Sequence, residues 1–167
     1  MSSDRQIVIT GTSSGIGLAI AQFLLAQHWQ VTGLDVAPPT LKDSRFTPVT
    51  LDLCDGHAVA QAAARVGAAY GLIHAAGVLR VGRVGALDAA AGDTMWRLHV
   101  AAASHLCDAI VPGMVQRRKG RVIFIGSRIA QGMAGRGQYA ATKAALIAMA
   151  RSWAAEVAAC GMTVNVV

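Results

Sequence analysis

Gln6-Ile-Val-Ile-Thr10, Gly11-Thr-Ser-Ser-Gly15-Ile-Gly17 and Leu18-Ala-Ile-Ala-Gln-Phe-Leu-Leu-Ala-Gln27 follow one another without a break and read as strand, glycine turn and helix. The first run is short, apolar and β-branched, the pattern of a strand buried on both faces. The last has the apolar content of a packed helix. Between them the glycines allow a tight turn and a close backbone approach, and the helix N-terminus faces the anion that the turn admits. Gly11, Ser13, Ser14, Gly15, Ile16 and Gly17 are therefore expected to cradle a pyrophosphate. The spacing Gly-x-x-x-Gly-x-Gly differs from the commoner Gly-x-Gly-x-x-Gly. A plain glycine-rich turn is the alternative, and the flanking strand and helix make it the weaker one.

Further along, Gln30-Val-Thr-Gly-Leu-Asp35 reads as a second strand ending in an acid. A carboxylate at that place accepts hydrogen bonds from ribose hydroxyls and repels a 2′-phosphate. No arginine or lysine lies in the glycine turn or beside Asp35 to receive such a phosphate, so NAD is expected over NADP.

The remaining pattern alternates. Strands are expected near 6–10, 30–35, 48–51, 70–75, 120–126 and 162–167, with helices near 16–27, 56–68, 93–118 and 138–160. Such alternation implies right-handed crossovers and a Rossmann-type α/β fold, a doubly wound parallel sheet with helices on both faces. A content of 54% hydrophobic and 14% charged residues suits a sheet buried on both sides. Pro112-Gly113 should bend or interrupt the long helix over 93–118. With no repeat and no low-complexity linker, residues 1–167 read as one domain.

Chemistry gathers in the last third of the chain. Tyr139-Ala-Ala-Thr-Lys143 puts a phenol and an ammonium on one helix face, about 6 Å apart along the axis. A free phenol ionises near pH ~10, and a fixed cation lowers that value. Lowering it by about three would take roughly 4 kcal/mol, which a desolvated lysine and a bound nicotinamide cation can largely supply. Upstream, Gly120-Arg-Val-Ile-Phe-Ile-Gly-Ser127 ends a buried strand on a serine, at the strand end where open α/β sheets hold their ligands. Ser127 can donate to a reacting oxygen while Tyr139 moves its proton. Taken alone, Ser127 would read as a turn or helix-cap serine.

These residues together resemble the short-chain dehydrogenase/reductase family, along the whole chain. The resemblance rests on Thr10-Gly-Thr-Ser-Ser-Gly-Ile-Gly17, Asp35, Asp52-Leu53, His74-Ala-Ala-Gly77, Ser127, Tyr139-Ala-Ala-Thr-Lys143 and Val164-Asn-Val-Val167. It implies that Tyr139 is the general acid/base and that Ser127 orients the reacting oxygen. It also implies that Lys143 binds nicotinamide ribose while assisting Tyr139, so that both residues touch the cofactor. Asp52 and Leu53 would meet the adenine, and Ala75, Ala76 and Gly77 the wall beside the ribose. The family usually has asparagine at the positions of His74 and His99. Histidine can donate from one ring nitrogen, accept at the other, and titrate near neutrality. His99 is accordingly a candidate fourth catalytic residue, and polar slots beside the sheet are the other reading of both histidines.

The resemblance further implies a Pro-Gly turn, a substrate lid, another helix and a last strand after Val167, so the chain is expected to lack part of the family's substrate pocket. The alanine-rich helix (Ala140, Ala141, Ala144, Ala145, Ala148, Ala150) and the long helix before it would form a homodimer or homotetramer interface. Thr32-Gly-Leu-Asp35 and Ala75-Ala-Gly-Val-Leu-Arg-Val-Gly82 locally resemble 2,3-dihydro-2,3-dihydroxybenzoate dehydrogenases, which would make the substrate a dihydrodiol carboxylate. The expected activity is hydride transfer between NAD and a secondary alcohol or ketone. A non-catalytic nucleotide-binding or assembly protein is the competing class.

The net charge of +6 is densest at Arg117-Arg-Lys-Gly-Arg121, where a helix ends and cations complement its dipole. With aromatics at 5% and no nucleic-acid-binding motif, no nucleic-acid partner is expected. Cys54, Cys107 and Cys160 lack metal-ligand spacing and read as reduced thiols, with no metal site. No signal peptide is expected, and charge or glycine breaks each apolar stretch before membrane-spanning length. A cytoplasmic location and no membrane partner are expected.

Overall fold

The computed structural model describes residues 5–67 and 69–167. Residues 1–4, read above as the start of the domain, and residue 68, read as the end of the second helix, lie outside the described residues. In β1 (Gln6–Thr10), Ile7 and Ile9 point to one face and Val8 and Thr10 to the other, and all four are buried. β2 (Gln30–Asp35) and β3 (Phe46–Thr50) extend the sheet on one side of β1. On the other side lie β4 (Gly71–His74), β5 (Gly120–Phe124) and β6 (Met162–Val166). All neighbours are parallel, in the order β3-β2-β1-β4-β5-β6. The winding reverses between β1 and β4, which opens a crevice at their carboxyl ends. This is the doubly wound sheet that the alternation of strands and helices requires.

One face is covered by α1 (Gly15–Ala26), whose Ala21 and Leu25 meet Ile7, Ile9, Val31 and Ile73. The other carries α2 (Gly56–Val66), α4 (Ala102–Gln116) and α5 (Gly137–Val157). Their Val59, Leu106, Ile110, Met114 and Leu146 close on Val8, Leu34, Leu72, Val122 and Phe124. Each large side chain so buried contributes roughly 1.5–3 kcal/mol.

The long crossover helix departs from expectation in where it begins. It begins at Ala89 rather than near 93, because Asp88 caps α3 (Ala89–Trp96) by accepting from the Ala91 N–H at 3.0 Å. It is not interrupted at Pro112-Gly113, for α4 runs through both. Pro112 leaves the Asp108 carbonyl without its helical donor, and both residues are exposed, where water can satisfy that carbonyl. An irregularity falls at Arg97–Ala101, a π-helical turn. By length and composition the run Ala89–Gln116 is able to cross a bilayer, contrary to the sequence expectation. Here Met95, Leu106, Ile110 and Met114 within it are buried in the protein.

The basic cluster sits at the opposite end of the sheet from the crevice, tied to the backbone. Arg117 donates to the Ala69 carbonyl at 2.7 Å and Arg118 to the Ala159 carbonyl at 2.8 Å. Arg121 donates to the Gly120 and Gly161 carbonyls.

Candidate active site

At the carboxyl ends of β1, β2 and β4 lies a cleft of about 490 Å³. Its walls include Gly11, Ser14, Gly15, Ile16, Gly17, Asp35, Asp52, Leu53, Ala75, Ala76 and Gly77, all expected from the sequence. The glycines are there for different reasons. A Cβ on Gly17 would run into the Gly11 carbonyl, so only hydrogen lets the turn close. Gly11 has φ +76°, and a Cβ there would lie 2.9 Å from Ala76 Cα. Gly15, at φ +55°, has nothing within 4 Å of its Cβ position, leaving its backbone open to a ligand. No side chain caps the first turn of α1. That uncapped turn, the open Gly15 and a carboxylate at the far end are what a dinucleotide needs, and the residues present fit one.

Asp35 does more than face the cleft. Its Oδ2 accepts from the Ser13 N–H at 2.8 Å and its Oδ1 from the Ala37 N–H at 2.9 Å. Ser13 Oγ donates to the Ala37 carbonyl at 3.1 Å. Ser13 thereby ties the glycine loop to the end of β2 and is not among the residues lining the cleft. Val36, Cys54, Val78, Thr94 and Leu98 also line the cleft and were not singled out by sequence. The first three directly follow recognised residues. Thr94 and Leu98 come from the crossover helix and carry no motif.

Beneath the cleft, two buried histidines have their protons fixed by their neighbours. His74 Nε2 lies 3.1 Å from the Leu98 carbonyl, which only accepts, so Nε2 carries the hydrogen. Its Nδ1 therefore accepts from Thr10 Oγ1 at 3.0 Å. Thr10 Oγ1 in turn accepts from the Ala75 and Ala76 N–H groups, each at 3.0 Å. His99 is the mirror case. Its Nε2 accepts from the Val78 N–H at 3.0 Å, so Nδ1 carries the hydrogen and donates to Thr142 Oγ1 at 2.8 Å. Thr142 passes its own proton to the Tyr139 carbonyl at 2.8 Å.

Burial, and then the nearby Lys143 ammonium, push the pKa of His74 down to about 4 and that of His99 to about 3. The expectation that they titrate near neutrality is corrected: both are neutral across the physiological range. His99 is fully buried with both nitrogens engaged, so its ring has no free nitrogen with which to exchange a substrate proton.

Ser127 follows β5 and caps the short turn Arg128–Gln131, which packs against α5, the helix that carries Tyr139 and Lys143. Ser127 Oγ accepts from the Ile129 N–H at 3.1 Å, as a cap serine does. That bond uses a lone pair and leaves the hydroxyl proton for another acceptor. Lys143 Nζ donates to the Ile125 carbonyl at 2.7 Å, just past the end of β5. It lies 5.8 Å from the centroid of the Tyr139 ring. Lys143 is 5% exposed, and burial pushes its pKa down to about 8. A Cβ on Gly77 would lie 3.8 Å from Lys143 Nζ, so the cofactor wall and the lysine are neighbours.

Two loops flank the mouth and touch each other, with the Gly82 N–H donating to the Gly135 carbonyl at 2.9 Å. They expose Val81, Val84, Leu87 and Met133. Arg80, Arg83 and Arg128 are exposed beside them.

Fold, glycine cleft and the grouped serine, tyrosine and lysine define a dinucleotide-binding α/β protein of the oxidoreductase kind. The family model for short chain dehydrogenases matches residues 5–167, and the chain belongs to that family. It is 31% identical to the 3-oxoacyl-acyl-carrier-protein reductase FabG of Salmonella typhimurium, over 96% of this chain and 70% of that protein. It is 29% identical to an acetoacetyl-CoA reductase of a Synechocystis species, over 98% of this chain and 70% of that one. A short-chain dehydrogenase from Streptomyces avermitilis superposes with a TM-score of 0.91 at 33% identity, covering 99% of this chain and 65% of that one. The chain therefore spans about two thirds of the length of these relatives.

Proposed function

We propose that residues 1–167 act as one nicotinamide-binding domain that transfers a hydride between NAD and a secondary alcohol or ketone. The observation that carries this reading is Lys143, buried, fixed to the Ile125 carbonyl and set beside the Tyr139 ring at the edge of the glycine cleft. NAD, when bound, supplies the hydride acceptor. Tyr139 exchanges the proton of the reacting hydroxyl. Ser127, oriented by its bond from Ile129, donates to the same oxygen. The Lys143 ammonium stabilises negative charge developing on the tyrosine oxygen and is placed to hold the ribose. A purely nucleotide-binding or assembly protein would have no use for a half-buried serine hydroxyl with its proton still to give. Mixing the protein with NAD and a panel of secondary alcohols, and following reduced-nicotinamide absorbance, separates the two classes; no reduction with any alcohol or ketone pair would favour the binding protein.

The choice of NAD over NADP rests on charge. Two aspartates and, among the described residues, no lysine or arginine line the cleft. A 2′-phosphate carries up to two negative charges and would meet the Asp35 carboxylate directly. Asp35→Ser is expected to weaken NAD binding and narrow the gap to NADP, read by fluorescence titration. Tighter binding of NADP by the unaltered protein would overturn the assignment.

For the substrate, the two reductases named above are described as acting on 3-oxoacyl-acyl-carrier protein and on acetoacetyl-CoA, and both carriers are anionic. The cationic, apolar-rimmed mouth of this chain suits such a thioester better than the dihydrodiol carboxylate of the local sequence resemblance. Arginine binds phosphate and carboxylate through paired hydrogen bonds. Arg80→Ala and Arg128→Ala are expected to raise KM several-fold for a 3-oxoacyl-CoA. KM for the uncharged N-acetylcysteamine thioester of the same acyl group should not change. Equal effects on both thioesters would remove the arginines from carrier recognition.

Self-association is proposed through α4 and α5. A groove of about 470 Å³ between them exposes Asp108, Val111, Pro112, Trp153 and Glu156, and a second copy is its proposed occupant. Light scattering at micromolar concentration should give a mass above the monomer, and Trp153→Glu should reduce it. A monomer in both would end this proposal.

A further inference from the structure

The two histidines belong to two hydrogen-bonded chains, joined by the Leu98–His99 backbone, that lie between the cofactor cleft and the catalytic helix. The first starts at the Ala75 and Ala76 N–H groups, passes through Thr10 Oγ1 and His74, and reaches the Leu98 carbonyl on the π turn. One residue on, His99 takes the Val78 N–H and hands its own proton to Thr142, which bonds the Tyr139 carbonyl. The His99 ring also stands at 90° to the Tyr139 ring, with centroids 5.5 Å apart. Leu98 and His99 both lie in the widened turn at Arg97–Ala101, and such turns recur at functional sites.

We infer that His99, held as the Nδ1–H tautomer, is a positioning residue that fixes the first turn of α5, and with it the Tyr139 phenol, against the cofactor wall at Val78. This rests on the oxidoreductase reading above. Both ring nitrogens are taken by protein groups, the Val78 N–H and Thr142 Oγ1. It acts through Thr142 and through edge-to-face contact with Tyr139. Its geometry is over-determined: one obligate donor on Nε2, one acceptor on Nδ1, and Gly77 so close that a Cβ there would lie 3.0 Å from Nε2. A positioning error of about 1 Å is enough to cost on the order of a hundredfold in rate.

The experiment has two arms, and the first needs no turnover. In ¹⁵N NMR of the imidazoles, His99 should show a protonated Nδ1 and His74 a protonated Nε2, neither changing between about pH 5 and 8. In His99→Leu the ring signals of Tyr139 should move while those of Tyr70 stay. The second arm is kinetic. His99→Leu and Thr142→Val should each lower kcat about 10–100-fold, with NAD affinity and substrate KM within about twofold. The double variant should be no worse than either single one. His99→Asn, whose amide reaches Thr142 from the same position as Nδ1, should recover much of kcat.

Additive losses, or an unchanged kcat per folded molecule in His99→Leu, would overturn the inference and leave His99 as packing. So would an Nε2–H tautomer at His99. If Tyr139→Phe turns over normally, the catalytic reading falls by itself. The tautomers and the Tyr139 ring shift then still decide whether His99 holds the tyrosine.

Discussion

Tyr139→Phe is expected to lower kcat by about 10²–10⁴-fold, the usual worth of a positioned general acid/base, while NAD binds nearly as before. The substitution removes one oxygen. The ring keeps its edge-to-face contact with His99, and the Tyr139 carbonyl keeps its bond from Thr142. Lys143 keeps its anchor on the Ile125 carbonyl, so the ribose end of the cleft is unaltered. Loss of rate without loss of fold or affinity is therefore the signature of the missing proton carrier. Single-turnover kinetics beside an NAD titration measures both. Turnover within a few-fold of the unaltered protein would remove Tyr139 from the mechanism. An equal loss of NAD affinity would instead make it a binding residue.

Much of this was legible because the deciding residues act through backbone geometry. Gly17 must be glycine because a Cβ would strike the Gly11 carbonyl, and such constraints mark a sequence directly. An unbroken Ile-Val-Ile run announces a strand buried on both faces, and the alternation of strands and helices leaves few topologies open. Asp35 and the Tyr139–Lys143 pair were likewise visible as spacing.

What stayed hidden depends on contacts between distant segments. Ser13 reads as part of a phosphate cradle; that its N–H and hydroxyl serve Asp35 and the Ala37 carbonyl is seen only in the fold. The tautomers of His74 and His99 follow from a carbonyl on the crossover helix and an N–H beyond β4, which no local pattern predicts. Nor does Arg97–Ala101 advertise a π turn. Pro112, by contrast, is a strong local signal, yet α4 runs through it without interruption because the freed Asp108 carbonyl faces solvent. Asp88 was available as a cap before Ala89, and reading it would have placed the helix start correctly.

The second large effect is on stability, and its sign is opposite to the loss of function that accompanies it. Lys143→Met should cost turnover by removing the ammonium beside Tyr139, and should make the protein more stable at neutral pH. Folding moves this lysine from an ordinary pKa of 10.5 to about 8 because burial strips its ammonium of water. Below pH 8 both folded and unfolded chains carry the proton, and the folded chain bears the full cost of the buried charge. From 8 to 10.5 only the unfolded chain binds it, so the free energy of unfolding rises with pH across that window. The span corresponds to about 3 kcal/mol. Methionine removes that cost but leaves the Ile125 carbonyl without its donor, a loss of about 1–3 kcal/mol. At pH 7 the variant is expected to be ahead by about 1 kcal/mol. By about pH 10.5 the unaltered protein should have gained about 3 kcal/mol relative to it and overtaken it. Titrating groups remote from Lys143 are common to both proteins and cancel in the difference between paired denaturant melts at the two pH values. Repeating the paired melts in a Tyr139→Phe background removes the phenol that faces Lys143. A difference that stays constant with pH would mean that the ammonium is not desolvated in solution. One that moves the other way would mean it is stabilised by a partner the fold does not reveal. The expected sign marks a lysine kept buried against its own stability cost, as a charge held in place for Tyr139 would be.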